Sequence, residues 1–193
     1  MKLAGVILAA GRSSRMGRDK ALLPCGESTF LGSLVRTFRK RCDPVIVVLG
    51  HNAEQIRPAA EGAQVVVNEG YDRGMLSSLQ TGLRAAGWDT DGVAFTLVDH
   101  PGLRPETLDK LVDAFESSGA NLVLPLYYGE RGHPAVISRA VLGQLLTLPA
   151  RKRPKPVLRA HYAAARFVDV DDPAVVADID TPADLEEAGS SLP

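Results

Sequence analysis

Leu3-Ala4-Gly5-Val6-Ile7-Leu8-Ala9-Ala10-Gly11-Arg12-Ser13-Ser14-Arg15-Met16-Gly17-Arg18-Asp19-Lys20 decides how this chain is read. Residues 3–8 form an apolar run too short to cross a bilayer and of the kind a buried parallel strand requires. The run passes directly into small residues, two glycines and several cations. Small side chains let a ligand reach the backbone, whose N–H groups can form an anion-binding nest, while Arg15 and Lys20 bring positive charge to the same place. A triphosphate needs that combination. The candidate nucleotide-binding residues here are therefore Leu8, Ala9, Ala10, Gly11, Arg12, Ser13, Ser14, Arg15, Met16 and Lys20. Two familiar phosphate loops do not fit: five residues separate Gly11 from Gly17 and Lys20 lies three further on, which is not P-loop spacing, and GxGxxG is absent. A plain glycine turn with incidental surface cations would explain single residues of the string, not the whole of it.

Working outward, further apolar runs at 45–49, 65–67 and 93–98 read as buried strands, and helical patterns alternate with them. Phe30, Leu31, Leu34, Val35 and Phe38 share one face at helical spacing, as do Leu76, Leu79 and Leu83, and then Leu108, Leu111, Val112 and Phe115. Pro105 suits a first helical turn and Gly119 the left-handed residue past a helix end. Thr181, Pro182 and Asp184 resemble a capping box opening a last short helix. Strand–helix alternation implies an α/β sandwich. Beyond about residue 121 it becomes irregular, with strand candidates at 122–124, 135–137 and 166–170 around a helix near 141–148, so mixed pairing is expected there. The prolines of Arg151-Lys152-Arg153-Pro154-Lys155-Pro156 mark a loop, whose ordinary reading is a solvated connection.

A chain of 193 residues, 45% hydrophobic and 23% charged, suits one domain over 1–193. Its net charge of -1 and pI near 6.4 argue against a surface built for nucleic acid or membrane, so any anion site is local. Cys25 and Cys42 stand outside any CxxC or His/Cys cluster, and residues 3–8 lack a basic leader and a cleavage pattern, so a reducing cytoplasm is expected.

Asp99, in Leu97-Val98-Asp99-His100-Pro101, closes the 93–98 run at the carboxyl edge of a central strand, where ligands of open α/β sheets gather. A carboxylate there suits Mg²⁺ on phosphate oxygens; a turn cap is the alternative. Asp178 and Asp180 would share a face if 176–180 were a strand, with Asp180 the stronger metal candidate. Asn68, Gly74, Ser77 and Ser78 bracket a strand end, a loop and a helix start, where amides and hydroxyls could read a base edge, or where serines could serve as ordinary first-turn residues. His133, in a loop before Pro134, is more often structural. No Ser/His/Asp arrangement or reactive cysteine setting supports covalent catalysis.

The string from Leu8 to Lys20 resembles the signature of nucleotidyltransferases with a Rossmann-like α/β fold. Together with 68–79, 97–101, Gly129-Glu130-Arg131-Gly132-His133-Pro134 and Asp178-Ile179-Asp180-Thr181-Pro182-Ala183-Asp184-Leu185, in this order and length, it looks like the molybdenum cofactor cytidylyltransferase branch of the MobA-like NTP transferases. Ala10 favours that branch, since guanylyl-transferring relatives usually carry a second glycine there. The chain departs from the family at His100, where Gln is usual, and at the basic 151–155 run.

The resemblance implies a three-layer α/β/α fold with a mostly parallel, partly mixed sheet, a nucleotide-binding half over about 1–120 and an acceptor-binding half over about 121–193. It implies transfer of CMP from CTP to molybdenum-loaded molybdopterin with release of pyrophosphate. Arg15, Lys20 and Asp99 would be catalytic, Asp99 and Asp180 would hold Mg²⁺, and His100, Arg131 and His133 would face the acceptor. A molybdenum hydroxylase or its chaperone would be a partner of a monomeric enzyme. Alternatives are another phosphorylated acceptor, or a non-catalytic chaperone that binds nucleotide or cofactor.

Overall fold

The computed structural model describes residues 1–188. The strands in chain order are β1 (Leu3–Ala9), β2 (Pro24–Cys25), β3 (Ser28–Thr29), β4 (Val45–Leu49), β5 (Gln64–Val67), β6 (Gly92–Leu97), β7 (Leu122–Tyr127), β8 (Glu130–Arg131), β9 (Ala135–Ser138) and β10 (Arg166–Asp169). The helices are α1 (Phe30–Phe38), α2 (Ala53–Ile56), α3 (Met75–Ala86), α4 (Pro105–Ser118), α5 (Arg139–Thr147), α6 (Lys155–Ala160) and α7 (Pro182–Ala188).

One sheet runs in the order β10-β7-β9-β6-β1-β4-β5, with β8 on β7. Pairing is parallel from β6 through β1 and β4 to β5, and antiparallel where β9 meets β6 and β7. All seven residues of β1 are buried because both faces of the sheet are covered. Ile7 and Ala9 pack with α1 and α4, while Val6 and Leu8 pack with α3 and α5 on the other side. The result is three layers, as the alternating runs require.

The mixed half has a positional consequence. Because β9 runs against β6, with Phe95 opposite Ala135, the chain just before β9 arrives at the edge where β6 ends. His133 is thereby carried to the same edge as Asp99.

Helix ends follow the expected chemistry. Pro105 opens α4, and Gly119 closes it at φ 64°. Thr181 and Asp184 form the capping box of α7: the Asp184 carboxylate accepts from Thr181 N–H at 2.7 Å and the Thr181 hydroxyl accepts from Asp184 N–H at 3.3 Å.

Two expectations need correction. Residues 176–180 are not a strand but an irregular segment. The basic run is a turn only as far as Pro154; Lys155 and Pro156 begin α6, since proline in the first helical turn sacrifices no helical hydrogen bond. No helix among the described residues is long and apolar enough to cross a membrane.

Candidate active site

The loop after β1 folds back on Ser13, which sits at φ 49°. Its carbonyl accepts from Met16 N–H at 3.0 Å and Gly17 N–H at 3.1 Å, and its hydroxyl accepts from Lys20 N–H at 3.1 Å. The N–H groups of Gly11, Arg12, Ser13, Ser14 and Arg15 donate to no acceptor among the described residues. These are the donors a phosphate nest requires. Met16 is corrected on this point: its amide is engaged with Ser13, and its side chain is buried with Leu23, Cys25, Phe30 and Ile179.

Gly50, at the end of β4, allows the loop to close. A β-carbon there would lie 2.7 Å from the Ala10 carbonyl oxygen and 2.8 Å from the Tyr71 ring. Tyr71 in turn faces His51, its hydroxyl 3.4 Å from the imidazole Nδ1, and lies 5.6 Å beneath the Arg12 guanidinium.

The loop walls a cavity of about 370 Å³ at the carboxyl end of β1. Leu8, Ala9, Ala10, Gly11, Ser13, Ser14, Arg15, Lys20, Gly74, Ser78, Asp99 and Asp180 line it, as do Tyr71, Met75 and Ile56. An α/β sheet collects ligands at such a strand end.

Three carboxylates meet at one side. Asp99, Asp178 and Asp180 each bring an oxygen within 4.8 Å of the others. Ile179 arranges this: its N–H bonds to the Asp99 carbonyl at 3.0 Å and its side chain is buried, so its two neighbours both turn outward. Burial pushes the Asp178 carboxyl up from its ordinary value, and the charges of Asp99 and Asp180 add to this. Lys20, 8% exposed at its side chain, reaches into the cluster, pairing with Asp180 and standing 3.6 Å from Asp99 Oδ2. Arg15 pairs with the other oxygen of Asp180 at 2.7 Å. Asp99 Oδ1 is buried with no hydrogen-bond partner. An all-oxygen set with one such unsatisfied atom fits a hard divalent cation.

Asn68 and Ser77 lie behind the cavity wall. The Asn68 amide donates to Ser77 Oγ at 2.6 Å and Ser78 Oγ at 3.0 Å, and its carbonyl accepts from Gly70 N–H at 3.1 Å. The Ser77 hydroxyl donates to the Gly70 carbonyl at 2.9 Å. Only Ser78 of the three borders the cavity.

His100 and His133 stack with centroids 4.9 Å apart, beside Phe95 and Asp99. Both Nδ1 atoms are buried without partners. Burial, then the neighbouring His100, pulls the His133 pKa down to about 3, so it is neutral at physiological pH. Neither histidine lines the cavity; Arg131 lies farther off, its guanidinium 4.8 Å from the Tyr162 ring.

A family model described as "MobA-like NTP transferase domain" matches residues 5–182. The chain belongs to that family. The transferase is similar to "Probable molybdenum cofactor guanylyltransferase" of Mycobacterium avium, 41% identical over 129 residues. That match covers 65% of the chain and 64% of the relative, so the chain spans just under two thirds of that protein. It is also 29% identical over 185 residues to "Molybdenum cofactor cytidylyltransferase" of Escherichia coli, covering 93% and 92% of the two. Among solved structures, Rv0371c from Mycobacterium tuberculosis superposes with a TM-score of 0.87 at 31% identity over 100% of both chains. A manganese complex of Rv0371c superposes at 0.83, with 30% identity over 100% of both.

The MobA-like chain is thus a nucleotidyltransferase of the molybdenum cofactor group, with an acidic cluster suited to a divalent metal. Of the residues singled out from the sequence, the loop after β1, Asp99 and Asp180 border this cavity. Sequence reading missed Tyr71, Met75 and Ile56; Tyr71 and Met75 lay inside a stretch already singled out, where an aromatic beside two glycines was the available signal.

Proposed function

We propose that the protein transfers CMP from CTP to the terminal phosphate of molybdenum-loaded molybdopterin, releasing pyrophosphate and forming the cytosine dinucleotide. The observation that carries this reading is the meeting of Lys20, Asp99 and Asp180 at one side of a cavity whose other wall presents unused loop N–H groups.

The acceptor phosphate is already an anion, so no general base is needed; the chain has to align reactants and stabilise charge. The loop N–H groups, Arg15 and Lys20 hold the β and γ phosphates. Asp99 and Asp180 would hold Mg²⁺, with Asp178 close enough to share it, and the ion would supply charge that neutralises the phosphates. Ser78, kept in place by Asn68, and Gly74 face the nucleoside.

The acceptor enters from the side of residues 121–193. His100, His133 and Arg131 are assigned to it by the family resemblance, the two histidines standing beside Asp99 and outside the cavity lining. The segment 131–168 carries eight Lys and Arg and no Asp or Glu, which suits a phosphorylated acceptor. A molybdenum hydroxylase or its chaperone would receive the product in the cytoplasm from a monomeric enzyme.

A second reading, GMP transfer from GTP, is favoured by the name of the Mycobacterium avium relative. Cytosine is supported by Ala10 in the cavity wall, where the family resemblance implies that guanylyl-transferring relatives usually carry a second glycine. Pyrophosphate release with Mg²⁺ and molybdenum-loaded molybdopterin, run in parallel with CTP, GTP, ATP and UTP, separates the two. Release with CTP well above the rest is expected; release with GTP alone would replace CMP by GMP, and none with any nucleotide would overturn the acceptor.

A further inference from the structure

We infer that Lys20 and Arg15 act as stand-in cations on the carboxylate cluster, so that the protein takes up its divalent metal together with the nucleotide and not ahead of it. The inference rests on the proposed metal and nucleotide reading and adds an order of binding to it.

Both oxygens of Asp180 are occupied by cations, Oδ1 by the Lys20 ammonium and Oδ2 by the Arg15 guanidinium. The same ammonium stands 3.6 Å from Asp99 Oδ2. A single amine therefore bridges the two carboxylates assigned to the metal, in the space between them. A divalent ion coming in alone has to displace these cations, because both oxygens of Asp180 are already paired and Asp99 Oδ2 faces the same ammonium. Two cations against three carboxylates leave one negative charge, which resides beside Asp178 and the unpartnered Asp99 Oδ1.

Lys20 and Arg15 also line the cavity that receives the phosphates. A triphosphate on the loop offers them a stronger anionic partner than Asp180 alone. Once drawn toward it, they leave three carboxylates facing one another without compensation, and the cluster's affinity for a divalent cation rises. The coupling is reciprocal, because whatever raises metal affinity in the presence of nucleotide must raise nucleotide affinity in the presence of metal by the same factor. The bridging ammonium also holds the carboxylates together and oriented in the free protein, which mutually repelling charges at this spacing would not do unaided.

Direct Mn²⁺ binding to the nucleotide-free protein, read from the electron paramagnetic resonance signal of free Mn²⁺, tests this without turnover. The wild-type protein should bind Mn²⁺ weakly, Lys20→Met at least tenfold more tightly, and Lys20→Arg as weakly as the wild type. Arg15→Met should tighten binding by a smaller factor and stands in if Lys20→Met does not fold. Equal or weaker Mn²⁺ binding in folded Lys20→Met, or in Arg15→Met if that is the folded variant, overturns the inference. Adding Asp99→Asn to whichever variant tightens should abolish the tight site; tight binding that survives it would put the ion elsewhere and overturn the metal assignment itself.

Discussion

Ile179 donates its backbone N–H to the Asp99 carbonyl at 3.0 Å while its side chain is buried with Met16, from the loop after β1, and Phe30. One apolar residue thus ties the C-terminal carboxylates to the end of β6. Ile179→Ala should cost about 2–4 kcal/mol in a urea titration, as large-to-small changes in a closed core do. It should also reduce the rise in melting temperature that Mn²⁺ produces. An unchanged metal-induced rise would mean that the carboxylates converge without this anchor.

Asp99→Asn should lower turnover by about 100-fold or more, the scale on which a transition-state charge partner acts. The melting temperature should hold or increase, since the change relieves repulsion among three carboxylates. Pyrophosphate release and thermal denaturation of the same preparation check both; full turnover would remove Asp99 from the mechanism.

Asn68→Ala leaves Gly70 N–H and the Ser78 hydroxyl without their partner, while the Ser77 hydroxyl keeps only its bond to the Gly70 carbonyl. A loss of about 2–3 kcal/mol is expected from unsatisfied buried groups. Because Ser78 would be freed to turn, KM for the nucleotide should rise more than kcat falls. A fall in kcat with unchanged KM would point to a direct part in the chemistry.

His133 gives the fold a sensitivity to acid. Its folded pKa of about 3 lies below the ordinary 6.5, so between these values the unfolded chain takes up a proton that the folded protein refuses. Stability from this source is intact above pH 6.5 and declines as pH falls toward 3, by at most about 1.4 kcal/mol per pH unit. His133→Gln should flatten the dependence of unfolding free energy on pH between 6.5 and 4; an unaltered slope would show that the imidazole titrates freely.

What the sequence made legible follows from the physics of each part. Strands β1, β4 and β6 are buried on both faces, so they appear as near-continuous apolar runs. The two-residue strands β2, β3 and β8 are too short to show a period, and α2 is a single turn. Pro154 and Pro156 concealed α6 because a helix tolerates proline in its first turn. The alternation that put Asp178 and Asp180 on one side was sound although no strand forms there, since Ile179 is buried between them. The loop after β1 was readable as a candidate phosphate site because small residues and cations lie close together in its sequence. That Lys20 rests on Asp180 depends on elements 160 residues apart in the chain, and no local pattern records it.

The absence of acidic residues between 131 and 168 makes the molecule electrically lopsided. Eight cations lie in that segment, while the other 14 share the rest of the chain with all 23 carboxylates, a balance of -9 there. A chain close to neutral overall therefore gathers local positive charge in one segment. A small polyanion approaching that segment at low ionic strength is drawn by its cations before contact, and salt that shortens the Debye length weakens that pull. The capture rate of an anionic substrate then depends on ionic strength even though the net charge is almost zero.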